Sequence, residues 1–493
     1  MVLSNTIGKA ISDKVSQMRG TSLKARCTRS TMVLFVATFG ERVLKLVRNM
    51  ILARLLAPED FGLMAIVLTA SILLQALSDV GVRQSVIHNK RGLEYEYLNM
   101  AWWLQTIRGL ALFAIAFLIA PFISSFYGKP ELTLFLRIAC VVAIFNGLIS
   151  PRTYAVEKEL RFSRWVFIYQ GGAVSGTVVA IMLAFWVRNV WALVIGFTVE
   201  AISCCLLSFI LCPFWPRLRI DRQSLRELLR YAHGMFGVTL LTIVALQTDV
   251  IVLGKVVSAE QLGMYALALA LAKQPSTMFG QTIARVLLSA FAEKQDENID
   301  LCNALLRMIK FTVLIGVPSI TLAVILAGPI LSVIYGPKYA AVAFPFSIMC
   351  CSMLFRIQKT IVGTMYLAIG KPNLHRRFVL IMSTIILVSM YPGIRLLGLA
   401  GAATVLLFAD ILGLYMHVVR MPGLIGLRLK NYASCWLPCV WVLPIMVWPI
   451  VILRPIGVNS IKIKTLLAIL GLFISYLIYF KPRFCRKKPS PIS

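Results

Sequence analysis

Fourteen windows of about twenty mostly apolar residues recur along the chain, and that is the length of helix needed to cross a bilayer's hydrocarbon core. They lie near 31–53, 62–86, 98–121, 132–150, 165–187, 190–212, 233–253, 262–290, 305–328, 341–369, 378–394, 396–419, 431–453 and 463–480. Of 493 residues, 59% are hydrophobic and 14% charged, with 50 Lys+Arg against 20 Asp+Glu. That apolar content excludes disorder, and the length excludes a small disulfide scaffold. The net charge of +30 would suit a nucleic-acid binder, but such a protein would not carry apolar runs of this length. The expectation is an all-α polytopic membrane protein of about 14 transmembrane helices.

The cations then fix an orientation. Alternate loops beginning with residues 1–30 hold 29 Lys+Arg and the opposite turns hold 9, so the positive-inside rule puts both termini in the cytoplasm. No apolar stretch precedes the first window, so residues 1–30 do not read as a signal peptide. Leu3, Ile7, Ile11, Val15 and Met18 share one helical face, which fits either a helix lying on anionic membrane lipids or a plain basic tail.

An internal repeat organises the rest. Leu55-Leu56-Ala57-Pro58-Glu59-Asp60-Phe61-Gly62 aligns with Val256-Val257-Ser258-Ala259-Glu260-Gln261-Leu262-Gly263, and Pro121–Gly128 aligns with Pro329–Gly336. Six spans separate the copies. That even number makes the repeats parallel, the arrangement of carriers with a midplane site between two lobes. The expected domains are a basic segment 1–30, an N-lobe 31–212, a cytoplasmic linker 213–232, a C-lobe 233–421, and a last pair of spans with a basic tail in 422–493.

Three short segments carry a family resemblance: Leu56-Ala57-Pro58-Glu59-Asp60-Phe61-Gly62, Leu77-Ser78-Asp79-Val80-Gly81-Val82, and Gly370-Lys371-Pro372. They resemble the polysaccharide-transporter branch of the multidrug/oligosaccharidyl-lipid/polysaccharide exporter superfamily, home of the bacterial O-antigen and exopolysaccharide repeat-unit flippases. The resemblance runs from about residue 31 to 421. It implies two six-helix lobes in alternating access in the bacterial inner membrane. It also implies an undecaprenyl-diphosphate-linked oligosaccharide as substrate, with polysaccharide polymerase and export proteins as further partners.

With Lys464 counted in the outer turn that it borders, twelve cations but only five acids (Glu41, Asp79, Glu200, Asp249 and Asp410) fall inside the windows. At about 2.5–3.5 kcal/mol each on the insertion scale, twelve lipid-facing cations exceed the stability of any domain. Most must therefore snorkel or face a wet interior. Glu41, Lys45 and Arg48 share one face of the first span, with Arg42 beside them. Lys273, Thr277, Gln281 and Arg285 form a second stripe, interrupted by Pro275. Span two contributes Gln75, Ser78, Asp79 and Arg83. The expected substrate-binding set is Arg42, Lys45, Arg48, Arg83, Lys273, Gln281 and Arg285, because guanidinium and ammonium groups suit a diphosphate. Glycan hydroxyls would use amides and aromatic faces from Gln75, Trp102, Trp103, Gln247 and Gln281, although Trp102 and Trp103 also read as interfacial belt residues. Asp79 and Asp249 are candidate ion-coupling carboxylates, and equally candidate ion-pair partners. Asp249 maps onto Arg48 through the repeat offset, which suggests an inter-lobe pair.

The sequence shows no metal site, no CxxC and no P-loop, so no cofactor is expected. A multidrug cation antiporter would want an acidic interior, against the observed balance. A polymerase or glycosyltransferase would need a large catalytic loop outside the bilayer, and none of the outer turns is long enough. A flippase for a lipid-linked peptidoglycan precursor differs mainly in the sugar and stays open.

Overall fold

The computed structural model describes residues 23–77, 81–159, 162–219, 221–233, 238–293 and 298–437. The amphipathic pattern before Leu23, Asp79, and nearly all of spans thirteen and fourteen with the basic tail lie outside the described residues. Within them the structure is helical: α1 Leu23–Leu55, α2 Pro58–Leu77, α3 Val82–His88, α4 Tyr95–Tyr127, α5 Leu132–Leu148, α6 Arg152–Lys158, α7 Phe162–Trp186, α8 Trp191–Leu211, α9 Arg222–His233 and α10 Val238–Val256. Then follow α11 Ala259–Glu293, α12 Asn298–Ile325, α13 Ala327–Ile334, α14 Ala343–Ala368, α15 Pro372–Val419, α16 Pro422–Ile425 and α17 Leu429–Ser434. No strand occurs among the described residues.

Seven of these stretches are long and apolar enough to cross a membrane, and α5 with α6 forms a further pair bent by 60°. Helices α1, α10 and α11 are not among the seven; in α1 and α11 the charged stripes read in the sequence lower the hydropathy. Helix α15 has 48 residues, or about 72 Å at the standard rise, more than twice a hydrocarbon core. Its two passes meet at Gly398, whose φ of 56° and ψ of −133° break the helix. The expected boundary between the spans 378–394 and 396–419 falls beside it.

The second expected span does not run unbroken to Arg83: Gly81 takes a positive φ of 60°, and Arg83 lies on the separate short helix α3. Trp102 is also corrected: it is buried and donates its indole N–H to the Leu148 carbonyl at 3.2 Å, while Trp103 donates to the Arg217 carbonyl at 3.0 Å. Trp102 is thus a packing residue of α4, while Trp103 is half-buried beside it. The repeat leaves a geometric mark. Gly128 and Gly336, its two final residues, both take positive φ, 66° and 120°, where glycine carries no Cβ penalty.

By internal contact the chain forms two compact units, Met1–Gly263 and Met264–Ser493. In the first, α7 lies along α8, α4 along α5, and α1 on α7. Small residues bring these backbones together, as is usual in lipid. In the second, α14 packs chiefly along α15, with α12 against α14.

The linker 213–232 contains structure that its composition did not announce. Arg91 meets Glu94 at 2.8 Å, Glu227 at 3.5 Å and Asp221 at 3.6 Å, tying helix α9 to the α3–α4 connection. A hydrogen bond from the Ser224 hydroxyl holds the Asp221 carboxyl below the usual carboxylate range, and the Asn89 amide does the same for Glu227. Lowered carboxyl pKa values anchor the linker fully above the usual range, and the anchorage is lost as pH falls below about 4. Hydrogen exchange of residues 213–233, corrected for intrinsic rates, should therefore accelerate at acid pH. Arg91→Ala should bring the acceleration to neutral pH, and unchanged exchange in that variant would contradict the anchoring role.

Candidate functional site

In α1 the spacing of Glu41, Lys45 and Arg48 puts all three on one face, as expected. Lys45 Nζ sits 2.5 Å from Glu41, and Arg48 approaches Glu200 of α8 at 3.8 Å. Glu200 reaches that position because Gly176 of α7 lies beneath it: a Cβ there would stand 2.7 Å from the Glu200 Cβ. Arg48 is thus paired with Glu200 rather than with Asp249. Asp249 is buried in α10, where its Oδ1 accepts the Val250 backbone N–H at 2.9 Å. Arg42 is half-buried, and its Nε is enclosed with no hydrogen-bond acceptor among the described residues. The stripe is real, but two of its three cations already face carboxylates.

A cavity of about 270 Å³ opens in the same unit among α2, α3, α4, α5, α6 and α7. Gln75, Arg83, Gln105, Arg108, Asn146 and Tyr154 are among its walls. Several of these side chains hydrogen-bond to one another or to neighbouring groups. The Tyr154 hydroxyl donates to Gln105 Oε1 at 3.2 Å, and Gln105 Nε2 donates to the Asn146 carbonyl at 2.8 Å. Arg83 engages Glu157 in bidentate fashion, Nε at 2.8 Å and an Nη at 2.6 Å. Arg83 is therefore neutralised, and Arg108 lines the same space. Amides, phenols and a guanidinium around a wet space can bind hydroxyls and oxyanions. Sequence reasoning picked out Gln75 and Arg83 here, but missed Gln105, Asn146 and Tyr154, which are polar residues spread over three helices.

In the second unit Lys273 lies half-buried on α11, while Gln281 and Arg285 are on the same helix with side chains outside the description. The unit has an apolar cavity of about 360 Å³ lined by Pro275, Phe311, Phe346 and Met353. It also has a polar seam. Ser352, Arg356, Lys359, Gly363 and Tyr366 on α14 are spaced 4, 3, 4 and 3, facing Asp410 and His417 of α15. Asp410 accepts from Ser352 Oγ at 2.6 Å, from Arg356 Nε at 3.1 Å and from Lys359 Nζ. His417 Nδ1 must donate to the Gly413 carbonyl at 2.7 Å, which leaves Nε2 to accept from His375 Nδ1 at 3.0 Å.

Comparison with known proteins agrees with this architecture. The profile of a family described as "Polysaccharide biosynthesis protein" matches residues 51–344. The lipopolysaccharide biosynthesis protein WzxC of Escherichia coli K12 is 22% identical over 409 residues, covering 82% of this chain and 83% of its own. The succinoglycan biosynthesis transport protein ExoT of Rhizobium meliloti is 24% identical over 306 residues, 62% of this chain and 60% of its own. Among solved structures, the lipid II flippase MurJ in an inward closed conformation superposes with a TM-score of 0.75 at 15% identity, over 92% of this chain and all of that one. That likeness shows a shared transporter fold. With the matched profile spanning more than half of its length, this multi-pass membrane chain belongs to the polysaccharide biosynthesis protein family.

Proposed function

We propose that the protein is a flippase that moves polyprenyl-diphosphate-linked oligosaccharide repeat units across the bacterial inner membrane. The observation that carries this reading is the polar cavity of the first unit, a cluster of amides, phenols and arginines within a bundle of apolar helices. Polar groups at membrane depth are costly unless they serve a pathway. The names of the relatives, lipopolysaccharide biosynthesis protein and succinoglycan transport protein, support the same class of cargo. In this reading Arg42, Lys45 and Arg48 take the diphosphate, with Lys273, Gln281 and Arg285 as the second unit's substrate contacts. The cavity around Arg83 and Arg108 takes sugar hydroxyls. Both termini face the cytoplasm, undecaprenyl is the carrier lipid, and Asp79 and Asp249 are the coupling carboxylates.

The test is translocation in proteoliposomes of purified full-length protein. A fluorescent polyprenyl-diphosphate-linked disaccharide should cross, and a cationic dye should not. Movement of the dye without movement of the lipid-linked sugar would replace this reading with that of a multidrug antiporter.

A further inference from the structure

We infer that Arg356 and Lys359 form an oxyanion-binding site in the second unit, with Asp410 as a built-in, displaceable counter-ion. The inference rests on the reading above only in its choice of a diphosphate as ligand.

The charge count comes first. Two cations share one carboxylate, so the cluster carries one excess positive charge within membrane-spanning helices, where an uncompensated cation is costly. Burial then gives the cluster a direction. The Asp410 side chain is 3% exposed, whereas Arg356 and Lys359 are 20% and 26% exposed. The open side of the cluster is therefore cationic and its floor is the carboxylate. A ligand arriving from the open side meets guanidinium and ammonium before it meets Asp410.

The mode of pairing leaves capacity as well. Arg356 reaches Asp410 through Nε alone, not through the two-pronged fork that arginine uses for a committed partner. That bond leaves the Nη nitrogens uncommitted to Asp410, and the planar guanidinium suits two phosphate oxygens. Lys359 contributes a point charge with two further N–H donors. Its stem lies across Gly413, where a Cβ would come within 3.0 Å of Lys359 Cδ and 2.8 Å of Met382 Sδ. The glycine leaves room for that stem.

Asp410 has a role that a neutral floor could not fill. It holds both cations when the site is empty, and it competes for them when an anion is bound. Binding is weakened, and release is correspondingly easier. A transporter needs both.

The experiment uses the full chain in phosphatidylcholine nanodiscs, so that no bulk anionic lipid competes, with farnesyl diphosphate and inorganic diphosphate as probes. Asp410→Asn should bind diphosphate about tenfold more tightly, as expected when one nearby competing charge is removed. Arg356→Gln with Lys359→Gln should bind at least tenfold more weakly. Unchanged affinity in either folded variant would overturn the site. If Asp410→Asn fails to fold, the neutral triple variant with Arg356→Gln and Lys359→Gln decides: weakened binding supports the site, wild-type binding overturns it. A preference for farnesyl diphosphate assigns the site to a lipid headgroup, and equal affinity assigns it to a soluble anion. Lys45→Gln with Arg48→Gln serves as the parallel arm. Loss of binding there alone would sink this inference and leave the flippase reading standing, whereas no loss in either arm would sink both.

Discussion

Replacing Lys45 and Arg48 together by glutamine is expected to abolish surface polysaccharide in a strain that depends on this chain, while the protein still inserts in the membrane. Each cation offers a diphosphate a charge-assisted hydrogen bond of about 1.5–3 kcal/mol. Losing two of them lowers affinity by about a hundredfold or more. Export at the wild-type level by the double variant would remove α1 from the substrate path.

The pairing in the structure makes a second variant necessary. Lys45 faces Glu41 and Arg48 faces Glu200, so neutralising the cations alone strands two acids in a membrane bundle. Stranding costs between the exposed and fully buried limits, about 1–3 kcal/mol apiece. The fully neutral variant, with Glu41→Gln and Glu200→Gln added, should recover thermal stability but not export. Recovery of both would show that the four charges form a structural network and nothing more.

Local spacing and repeat logic found different things. The face shared by Glu41, Lys45 and Arg48 was legible because helical neighbours are close in sequence. Glu200 was not legible as the partner of Arg48. That contact depends on how α1, α7 and α8 pack, and the repeat offset pointed instead to Asp249. The bidentate Arg83–Glu157 pair spans 74 residues and joins two short helices, α3 and α6, that hydropathy windows merge or overlook. The α14–α15 seam was within reach, since Ser352, Arg356 and Lys359 repeat at 4 and 3, and Asp410, Gly413 and His417 at 3 and 4. It was missed because Asp410 was counted as an isolated embedded acid. Gly128 and Gly336 show how far the repeat reaches: both take a positive φ, but ψ is 31° at one and 164° at the other, so the glycine recurs while the turn around it differs.

The aligned glycines of the first repeat segment carry the other large effect. Gly62 and Gly263 occupy equivalent places, and the structure brings them against each other. A Cβ on Gly62 would fall 2.0 Å from the Ala259 carbonyl oxygen, and one on Gly263 would fall 1.7 Å from the Pro58 carbonyl oxygen. Both distances are far inside van der Waals contact, and the obstructing atoms are backbone, which cannot rotate away. Two helix starts meet here at the approach that glycine alone permits. Overpacking in a bundle costs about 1–3 kcal/mol, so Gly62→Val and Gly263→Val should remain folded yet force these ends apart. Each is expected to abolish export, with lowered thermal stability. Because either Cβ blocks the same approach, the double variant should be little worse than each single one, the non-additivity expected of residues in direct contact. Alanine at either position should give an intermediate defect. Export at the wild-type level by Gly263→Val would show that this close approach is dispensable for transport.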